Sequence, residues 1–435
     1  LELTFNFNGH TESVVIGNST EIFEDIIGRI FEISGGGPLR IDGSGVGVPQ
    51  IWSRTYNVSP SGIGTYGQYI PAIRLDTQGN SEVTPTRYYL TGLQQGNGFR
   101  TNVGFVNLTS SDLVLNVHAY DEDGRVLGSA TITTRPLILL QEGIASTQLI
   151  PAADGAGVIT LRIDGARTGE LLAYGSVVDQ VSNDPVYIAG VPEVLMRDAG
   201  KAQQIIPGVG HLTNGSWRSD VAIFNPDGDP VTFDLEFFDS AGNKLSEALN
   251  YNLEAKHTLH LHDIVKSGVL IPVLESDALG VLRITTRSSI TMSHPIVVDR
   301  TYSDQGASGT FGQGIFATTA AEANVSVGSP AIIAGARSDA AYRTNVGFVN
   351  LGSETSSVRV TLLDKQSGQV SGTWERDFAP GESAIASNLI RALHQTADRG
   401  SLRIEVLSGS PIWAYGSVID QLTSDPEYVP AVPLD

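Results

Sequence analysis

The stretch Arg100-Thr-Asn-Val-Gly-Phe-Val-Asn107 decides the fold, because it returns nearly unchanged as Arg343-Thr-Asn-Val-Gly-Phe-Val-Asn350. A looser copy, Arg218-Ser-Asp-Val-Ala-Ile-Phe-Asn225, lies between the two. A second marker, the triplet Leu-Arg-Ile, occurs four times at nearly equal intervals, centred on Arg40, Arg162, Arg283 and Arg403. Self-similarity at a period of about 120 residues indicates an array of repeated structural units.

Within a unit the hydrophobic residues recur at every second position, which is typical of half-buried strands. Leu113, Leu115 and Val117, for example, alternate with polar residues. The second unit contains seven such runs, near residues 101–107, 112–120, 126–133, 137–146, 158–164, 171–179 and 185–191. Seven short strands separated by turn signals predict an immunoglobulin-like β-sandwich. We therefore expect an all-β fold, a tandem array of such sandwiches, with single helical turns at Asp25–Phe31 and Asn388–His394 capped by Asp25 and Asn388.

The repeats place the domains at residues 1–85, 86–195, 196–325 and 326–435, which we call the first to fourth segments. The first and third segments share Arg-Thr-Tyr, at Arg54–Tyr56 and Arg300–Tyr302. The second and fourth share Tyr-Gly-Ser-Val-x-Asp-Gln, at Tyr174–Gln180 and Tyr415–Gln421. Duplication of a two-domain block is the simplest origin of this pattern.

The first segment is a partial copy of the repeat. Its stretch Asn18–Ile27 aligns with Gly381–Ile390, so Leu1 falls near the third strand and two strands are absent. A sandwich lacking two strands has an unpaired edge that invites pairing with another strand. Three explanations stay open: the missing strands precede Leu1 in a processed or trimmed precursor, another chain supplies them, or this domain is built differently.

Composition excludes several classes of function. The net charge of −20 disfavours nucleic acid and anionic membrane surfaces as partners. Cysteine is absent, which removes disulfides, thiolate catalysis and cysteine-ligated metals. No run of apolar residues is long enough to span a bilayer as a helix. Motifs of common hydrolases, zinc proteases and phosphate-binding loops are also missing from the sequence.

The Phe99–Asn107 string and the Arg-Thr-Tyr strings resemble repeated modules of secreted proteins from environmental bacteria, which often lie C-terminal to unrelated extracellular domains. The resemblance covers essentially the whole chain through its repeats. It implies β-sandwich surface or spacer domains without an assigned activity. It therefore supports an extracellular or cell-surface location and carries over no catalytic residues.

Polar residues that recur in the units are interpreted as framework, because an enzyme needs one catalytic constellation and not four. The four Leu-Arg-Ile arginines are expected to form Arg–Asp or Arg–carbonyl clasps at the sheet rim, and strand-end asparagines to satisfy turn backbone groups. This framework set comprises Arg40, Arg162, Arg283, Arg403, Asp179, Asp299, Asp420, Asn107, Asn225 and Asn350.

Residues unique to one unit are the better candidates for a ligand site. His260 and His262 share a strand face, and with Asp263 they form a weak candidate metal site. Two acidic turns, containing Asp227 and Asp229 in one and Asp121 and Asp123 in the other, are weak candidates for Ca²⁺. Beyond weak Ca²⁺ binding, we expect no cofactor.

The leading hypothesis is a non-enzymatic extracellular or cell-surface structural protein, acting as a spacer or as a filament or sheath subunit. Its partners would be further copies of itself or another surface protein. The first rival is a glycan- or surface-binding adhesion module, with Tyr88, Tyr89, Trp374 and Trp413 as candidate stacking residues. The second rival is a set of accessory domains of a secreted enzyme.

Overall fold

The computed structural model describes residues 1–17, 20–45, 49–59, 62–75, 84–287, 293–393 and 397–434. The described chain is nearly all β and consists of antiparallel sheets, so the predicted all-β class is confirmed. Two one-turn α-helices accompany the strands, α1 (Ile26–Arg29) and α2 (Leu389–Ala392). Short 3₁₀ helices lie at Pro151–Ala153, Glu193–Arg197, Ala199–Ala202, Gly306–Ser308 and Ala320–Glu322. No helix in these residues is both long and apolar enough to cross a membrane.

The first segment contains a three-stranded sheet and a separate hairpin. The sheet has the order β2-β1-β3, and the hairpin pairs β4 with β5. Leu3, Phe5 and Phe7 project from one face of β1 and pack with Phe31 in a small core. The strands are β1 (Glu2–Phe7), β2 (His10–Val15), β3 (Arg40–Ser44), β4 (Trp52–Val58) and β5 (Thr65–Pro71).

The second segment contains two sheets that face each other across one hydrophobic core. Their orders are β14-β6-β11-β8-β9 and β10-β7-β12-β13. Leu90, Leu115 and Leu161 from the first sheet meet Val103 and Phe105 from the second. The strands are β6 (Pro85–Gln95), β7 (Phe99–Asn107), β8 (Leu113–Tyr120), β9 (Val126–Thr134), β10 (Leu139–Gly143), β11 (Gly157–Arg167), β12 (Leu171–Asp179), β13 (Pro185–Ala189) and β14 (Val191–Pro192).

The third segment again has two facing sheets, with the orders β15-β20-β17-β18 and β19-β16-β21-β22. Phe233, Leu235 and Phe237 fill the space between them with Val221 and Ile223. The strands are β15 (Gln203–His211), β16 (Trp217–Phe224), β17 (Val231–Asp239), β18 (Lys244–Leu253), β19 (Thr258–Leu261), β20 (Ala278–Thr286), β21 (Ile296–Asp304) and β22 (Thr310–Phe316).

The fourth segment joins its strands into one folded sheet of nine, because β23 pairs with β24 through Ser338 and Arg343. The main order is β26-β25-β28-β23-β24-β29-β30, with β27 on β24 and β31 on β23. The strands are β23 (Ala331–Ser338), β24 (Tyr342–Asn350), β25 (Ser356–Asp364), β26 (Val370–Phe378), β27 (Ser383–Ala386), β28 (Ala397–Ser408), β29 (Ile412–Asp420), β30 (Pro426–Pro430) and β31 (Val432–Pro433).

Strand β6 is the element of the second segment that the sequence pattern missed. Tyr89, Leu90 and Leu93 are all buried, so the strand lacks one exposed polar face. The reason is that β6 has neighbours on both sides: Leu90 faces its own core, whereas Tyr89 contacts Phe224 of the third segment. A strand buried on both faces loses the two-residue alternation by which strands are recognised.

The predicted helical turns exist, but only one of them is capped as expected. The Asp25 carboxylate accepts a hydrogen bond from the Gly28 N–H at 3.2 Å. The Asn388 side chain makes no capping bond, because its Oδ1 accepts the Ser338 hydroxyl instead. The predicted second turn extended to His394, which lies outside the described residues.

Three strand-end asparagines hold the turns between neighbouring strands, and all three are buried. Asn225 donates from Nδ2 to the carbonyls of Asp229 and Leu253, and its Oδ1 accepts the Asp227 N–H. Asn107 and Asn350 make the corresponding contacts after β7 and β24. Each amide thereby satisfies a buried backbone carbonyl as well as backbone groups of the adjacent turn.

We predict that Asn225→Ala lowers the free energy of unfolding by about 1–3 kcal/mol, because it leaves buried carbonyls without a donor. The matched control is Asn116→Ala on β8, where the side chain is exposed and accepts one hydrogen bond from Thr131. The control should change stability by no more than about 0.5 kcal/mol. Equilibrium urea unfolding of the full chain measures both, and equal losses would contradict the role given to Asn225.

Candidate functional site: polar joints between the segments

Two hairpins, one in the first segment and one in the third, reach into another segment. β4–β5 and β21–β22 each carry Arg-Thr-Tyr on their first strand and Thr, an aromatic residue, Gly and Gln on their second. The β21–β22 hairpin contacts the second segment, and we call this contact the second–third joint. The β4–β5 hairpin contacts the fourth segment, and we call this contact the first–fourth joint.

Asp179 is the centre of the second–third joint. Its Oδ2 accepts the backbone N–H of Thr310 at 2.9 Å and the Thr310 hydroxyl at 2.6 Å. Its Oδ1 accepts the N–H groups of Val181 and Ser182. Burial alone would raise the pKa of Asp179, but these hydrogen bonds outweigh it and lower the pKa. Asp179 is therefore held as a carboxylate whose four bonds fix the hairpin to the loop.

Asp420 has the same arrangement in the first–fourth joint. Its Oδ2 accepts the N–H and hydroxyl of Thr65 at 2.9 and 3.0 Å, and its Oδ1 accepts the Leu422 N–H at 2.9 Å. The hydroxyl of Thr423 donates back to the Thr65 carbonyl at 2.8 Å. Ser182 does the same to Thr310 in the other joint. Both joints thus use one carboxylate, one threonine and one loop hydroxyl.

Glycine precedes each joint threonine because no side chain fits there. Gly309 has a φ of 83°, and a Cβ at this position would lie 2.8 Å from the backbone nitrogen of Ser182. Gly64 has a φ of 77°, and its Cβ would approach the Thr423 side chain. The Gly-Thr dipeptide therefore supplies both the positive φ and the close approach of the hairpin to the neighbouring loop.

The second strands of the hairpins and two strands that receive them form a central group, which we call the hub. The hub comprises β5, β13, β22 and β30, and each of these strands contacts the next, so that the group closes on itself. The Ser176 hydroxyl donates to Gln68, and the Ser417 hydroxyl donates to Gln313, both at 3.0 Å. Every segment therefore contacts two others.

Hydrophobic contacts reinforce this arrangement. Val298 of the third segment is part of the core of the second. Tyr415 and Tyr428 of the fourth segment pack in the core of the third. Trp52 and Tyr69 of the first segment pack on the core of the fourth. The cores of the second, third and fourth segments thus include or contact side chains from a neighbouring segment, whereas the small core of the first segment contains only residues of that segment.

Asp184 and Asp425 meet inside the hub, and both are fully buried. The Oδ2 of Asp184 accepts the Gly312 N–H at 2.7 Å, and the Oδ2 of Asp425 accepts the Gly67 N–H at 2.9 Å. Burial and the charge of Asp425 raise the pKa of Asp184 well above its usual range. Burial raises the pKa of Asp425 to about 7, against the opposing effect of Arg54. Ionising both of these neighbouring buried carboxyl groups would be costly, which favours the protonated form of the pair.

Two arginines flank this carboxyl pair. Arg54 Nη2 donates to Asp425 at 3.0 Å, and Arg54 Nε forms an ion pair with Glu427. Arg300 donates from Nη2 to the Thr310 hydroxyl at 2.6 Å and lies over the Tyr302 ring. The two guanidiniums therefore fix their own threonines while supplying positive charge to the hub.

The framework arginines do not pair with the framework aspartates. Arg40, Arg162 and Arg403 each pair with an acidic residue two positions later on the same strand face, namely Asp42, Asp164 and Glu405. Arg283 pairs across the strands with Glu236 at 2.9 Å. Arg40 and Arg162 thus form Arg–Asp pairs, but with aspartates of their own strands and not with Asp179 or Asp420, because residues i and i+2 on one face of a strand are nearer than the strand ends. A clasp at the sheet rim stays a prediction for this set. Asp299 is buried and accepts the Thr301 hydroxyl, and burial raises its pKa.

The two acidic turns are occupied by contacts within the protein. Asp227 Oδ2 accepts the Ser293 N–H, and the backbone carbonyl of Asp229 accepts the Asn225 amide. Asp121 Oδ1 accepts the Arg125 N–H, and Asp123 forms an ion pair with Arg125 at 3.1 Å. Among the described residues, neither turn belongs to a group of three or more candidate metal ligands.

His260 and His262 lie together, but Asp263 is not their partner. The Asp263 side chain turns away and accepts from His211, with 2.7 Å between Oδ2 and Nδ1. The carboxylate beside the two histidines is instead Asp220 on β16. Asp220 occupies the position at which the other two copies of the motif have Asn102 and Asn345, and that exchange is the sequence signal that would have found it.

The aromatic residues proposed for sugar stacking are engaged in packing. Tyr88 and Tyr89 are buried, Trp374 stacks on Phe348, and the Trp413 indole donates to Tyr428. Two cavities lie at the contacts between segments, and each holds about 20 Å³, room for about one water molecule. Neither the four aromatic residues nor these cavities form a groove for a glycan.

No protein-family model matches the sequence, and no curated protein matches it.

Titration of the hub carboxyl pair should make the protein less stable as the pH rises. The pKa of Asp425 is about 7 in the folded protein, against a usual value of 3.8. The contribution of protonated Asp425 to the free energy of unfolding is therefore fully present below about pH 4 and is lost as the pH rises through about 7. Asp425→Asn, whose amide cannot ionise, should remove part of this loss. Urea unfolding at pH 5, 6, 7 and 8 measures the change.

Asp179 is the control for this prediction, because its pKa is shifted in the opposite direction. The pKa of Asp179 is lowered in the folded protein, so its contribution to the free energy of unfolding is present at neutral pH and is lost as the pH falls towards the folded pKa. Asp179→Asn should therefore leave the slope between pH 6 and 8 as in the wild type. An unchanged slope in Asp425→Asn would show that the hub pair does not titrate in this range.

Gly309→Ala should destabilise the second–third joint more than a positive φ alone explains. The matched control is Gly306→Ala in the same hairpin, where φ is 58° and nothing lies within 4 Å of the added Cβ. The control should cost about 1–2 kcal/mol for its backbone conformation, and Gly309→Ala about 1–3 kcal/mol more because it clashes with the 181–182 loop. Urea unfolding compares the two variants. Equal losses in the free energy of unfolding would mean that the 181–182 loop moves aside and that no clash remains.

Proposed function

We propose that this chain is a non-enzymatic structural protein of the cell surface or extracellular space, serving as a filament or sheath subunit. The observation that carries the proposal is the use of its recurring polar residues: Asp179 and Asp420 fix hairpins from other segments. Groups that recur and join domains are suited to a scaffold. We further propose that the segments are immunoglobulin-like sandwiches that arose by duplication of a two-domain block.

The closed arrangement favours a subunit over a spacer. Thr65 of the first segment bonds to Asp420 of the fourth, across 355 residues. An array that returns on itself does not gain length with each added segment, as an extended spacer would. The joints hold the four segments together as one unit, which suits a subunit that repeats in an assembly.

The first segment supplies the surface by which such blocks would associate. In the described residues, β3 pairs only with β1, and β4 pairs only with β5. The second segment has an inner strand at each corresponding place, since β11 also pairs with β6 and β12 with β7. We propose that a strand from another molecule pairs with these free edges, as in other cases of strand addition.

Assembly of the full chain tests this function. At 0.15 M salt, which screens the net charge of −20, we expect sedimentation to show larger species as the protein concentration rises, and electron microscopy to show regular polymers. Val58→Lys places a charge on the free-edge strand β4 and should reduce assembly by at least about tenfold in the concentration required.

The matched control is Val114→Lys on β8, an inner strand whose valine is exposed to a similar degree, 53% against 61%. It should assemble like the wild type. A wild-type chain that remains monomeric at the highest concentration would overturn the subunit proposal. Equal assembly of the wild type and Val58→Lys would exclude β4 as the contact.

A further inference from the structure

The two histidines and Asp220 are brought together by strand pairing. In the antiparallel pair β16–β19, Ala222 lies opposite His260. Asp220, two residues before Ala222, therefore falls beside His262, two residues after His260. All three side chains lie on the face of the sheet that is turned away from the Val221 and Ile223 core of the third segment.

The distances within this group suit a single small cation. Asp220 Oδ2 is 3.1 Å from His262 Nδ1, and the two imidazole rings meet edge to face with centroids 4.2 Å apart. One ligand atom from each of the three residues lies within 4.8 Å of the other two. Ligands held about 2.1 Å from a tetrahedral zinc ion are about 3.4 Å apart, so small side-chain movements would complete the site.

A second layer of contacts orients Asp220 towards the histidines. Its Oδ1 accepts the Asp263 N–H at 2.8 Å and the Tyr302 hydroxyl at 3.2 Å, which leaves Oδ2 facing His262. Arg300 lies opposite Asp220 on β21, but its guanidinium is directed to Thr310 and the Tyr302 ring. Supporting contacts of this kind fix the direction of a metal-binding carboxylate.

One side of the group is open. The His262 side chain is 72% exposed, whereas those of Asp220 and His260 are 6% exposed, so a cation can enter past His262. Glu122 of the second segment lies at the edge of the opening, with its Oε1 3.9 Å from His260 Nδ1. The turn that carries Glu122 is held in place, because its carbonyl accepts the Thr258 N–H at 2.9 Å.

We propose that Asp220, His260 and His262 bind a divalent transition-metal ion of the zinc class, with the open coordination position facing Glu122. Two imidazoles and a carboxylate are ligands that Zn²⁺ prefers, whereas Ca²⁺ and Mg²⁺ prefer all-oxygen sites. The ion would lie where β19 meets the Asp121–Gly124 turn of the second segment. The proposal does not depend on the structural role argued above.

Zinc titration of the full chain tests the site. After treatment with EDTA and dialysis, we expect calorimetry with ZnCl₂ at pH 7.5 to show one saturable ion per chain. Co²⁺ at the same site should give visible absorption bands that Zn²⁺ displaces. His262→Gln should weaken Zn²⁺ binding by at least about tenfold and abolish the Co²⁺ bands, and because this side chain is exposed, the variant is expected to fold.

Asp220→Asn serves as the second variant and should weaken binding similarly. The matched control is His118→Gln, which removes a histidine that also pairs with a carboxylate, Asp164 at 3.4 Å, but belongs to no group of three candidate metal ligands among the described residues. The control should bind one Zn²⁺ like the wild type. Absence of saturable binding in the wild type, or equal affinity in the wild type and His262→Gln, would overturn the proposal.

Discussion

A buried carboxylate must find hydrogen-bond donors, and this constraint determines how the segments of this protein join. Asp179 and Asp420 lie at strand ends that water hardly reaches, where their exposures are 4% and 1%. An ionised carboxylate in such a place costs several kcal/mol unless its oxygens are satisfied. Two of the donors in each case come from the neighbouring loop, and two come from a threonine of another segment. Separating the segments would leave each carboxylate with half of its partners.

In the hub, by contrast, the buried carboxyl groups have too few hydrogen-bond donors. Asp184 and Asp425 have one backbone donor each, too few for two charges, and so the pair retains a proton. Arg54 offsets part of the remaining charge through its contacts with Asp425 and Glu427. Buried polar clusters of this kind add little to stability when compared with apolar packing, and their well-attested use is to specify one arrangement among several. We therefore expect the polar contacts of the hub to select one orientation of the segments, which hydrophobic contacts alone would specify less strictly.

The strands of this protein can be predicted from its sequence, whereas the joints between its segments cannot, and the reasons are physical. The alternation of Leu113, Leu115 and Val117 reflects a sheet with one wet face, and it predicts β8 correctly. β6 was missed because the third segment covers its second face. The bond between Thr310 and Asp179 spans 131 residues, and the bond between Thr65 and Asp420 spans 355. Contacts between residues this far apart in sequence produce no local periodicity. The only sequence signal for the joints was that the motifs around these residues occur in two segments each. Asp220 stands where the other two copies of the motif have asparagine, and its proximity to His262 depends on the register of β16 and β19.

The closed arrangement follows from the repeat itself. The hairpin of the third segment binds the second segment around Asp179, and the hairpin of the first segment binds the fourth in the same way around Asp420. This second contact closes the ring. Because both belong to one chain, their effective concentration is high, so closure within a molecule is favoured over exchange between molecules. Closure leaves β3 and β4 with one partner strand each in the described part of the chain, so these two edges would be open to a strand from another molecule.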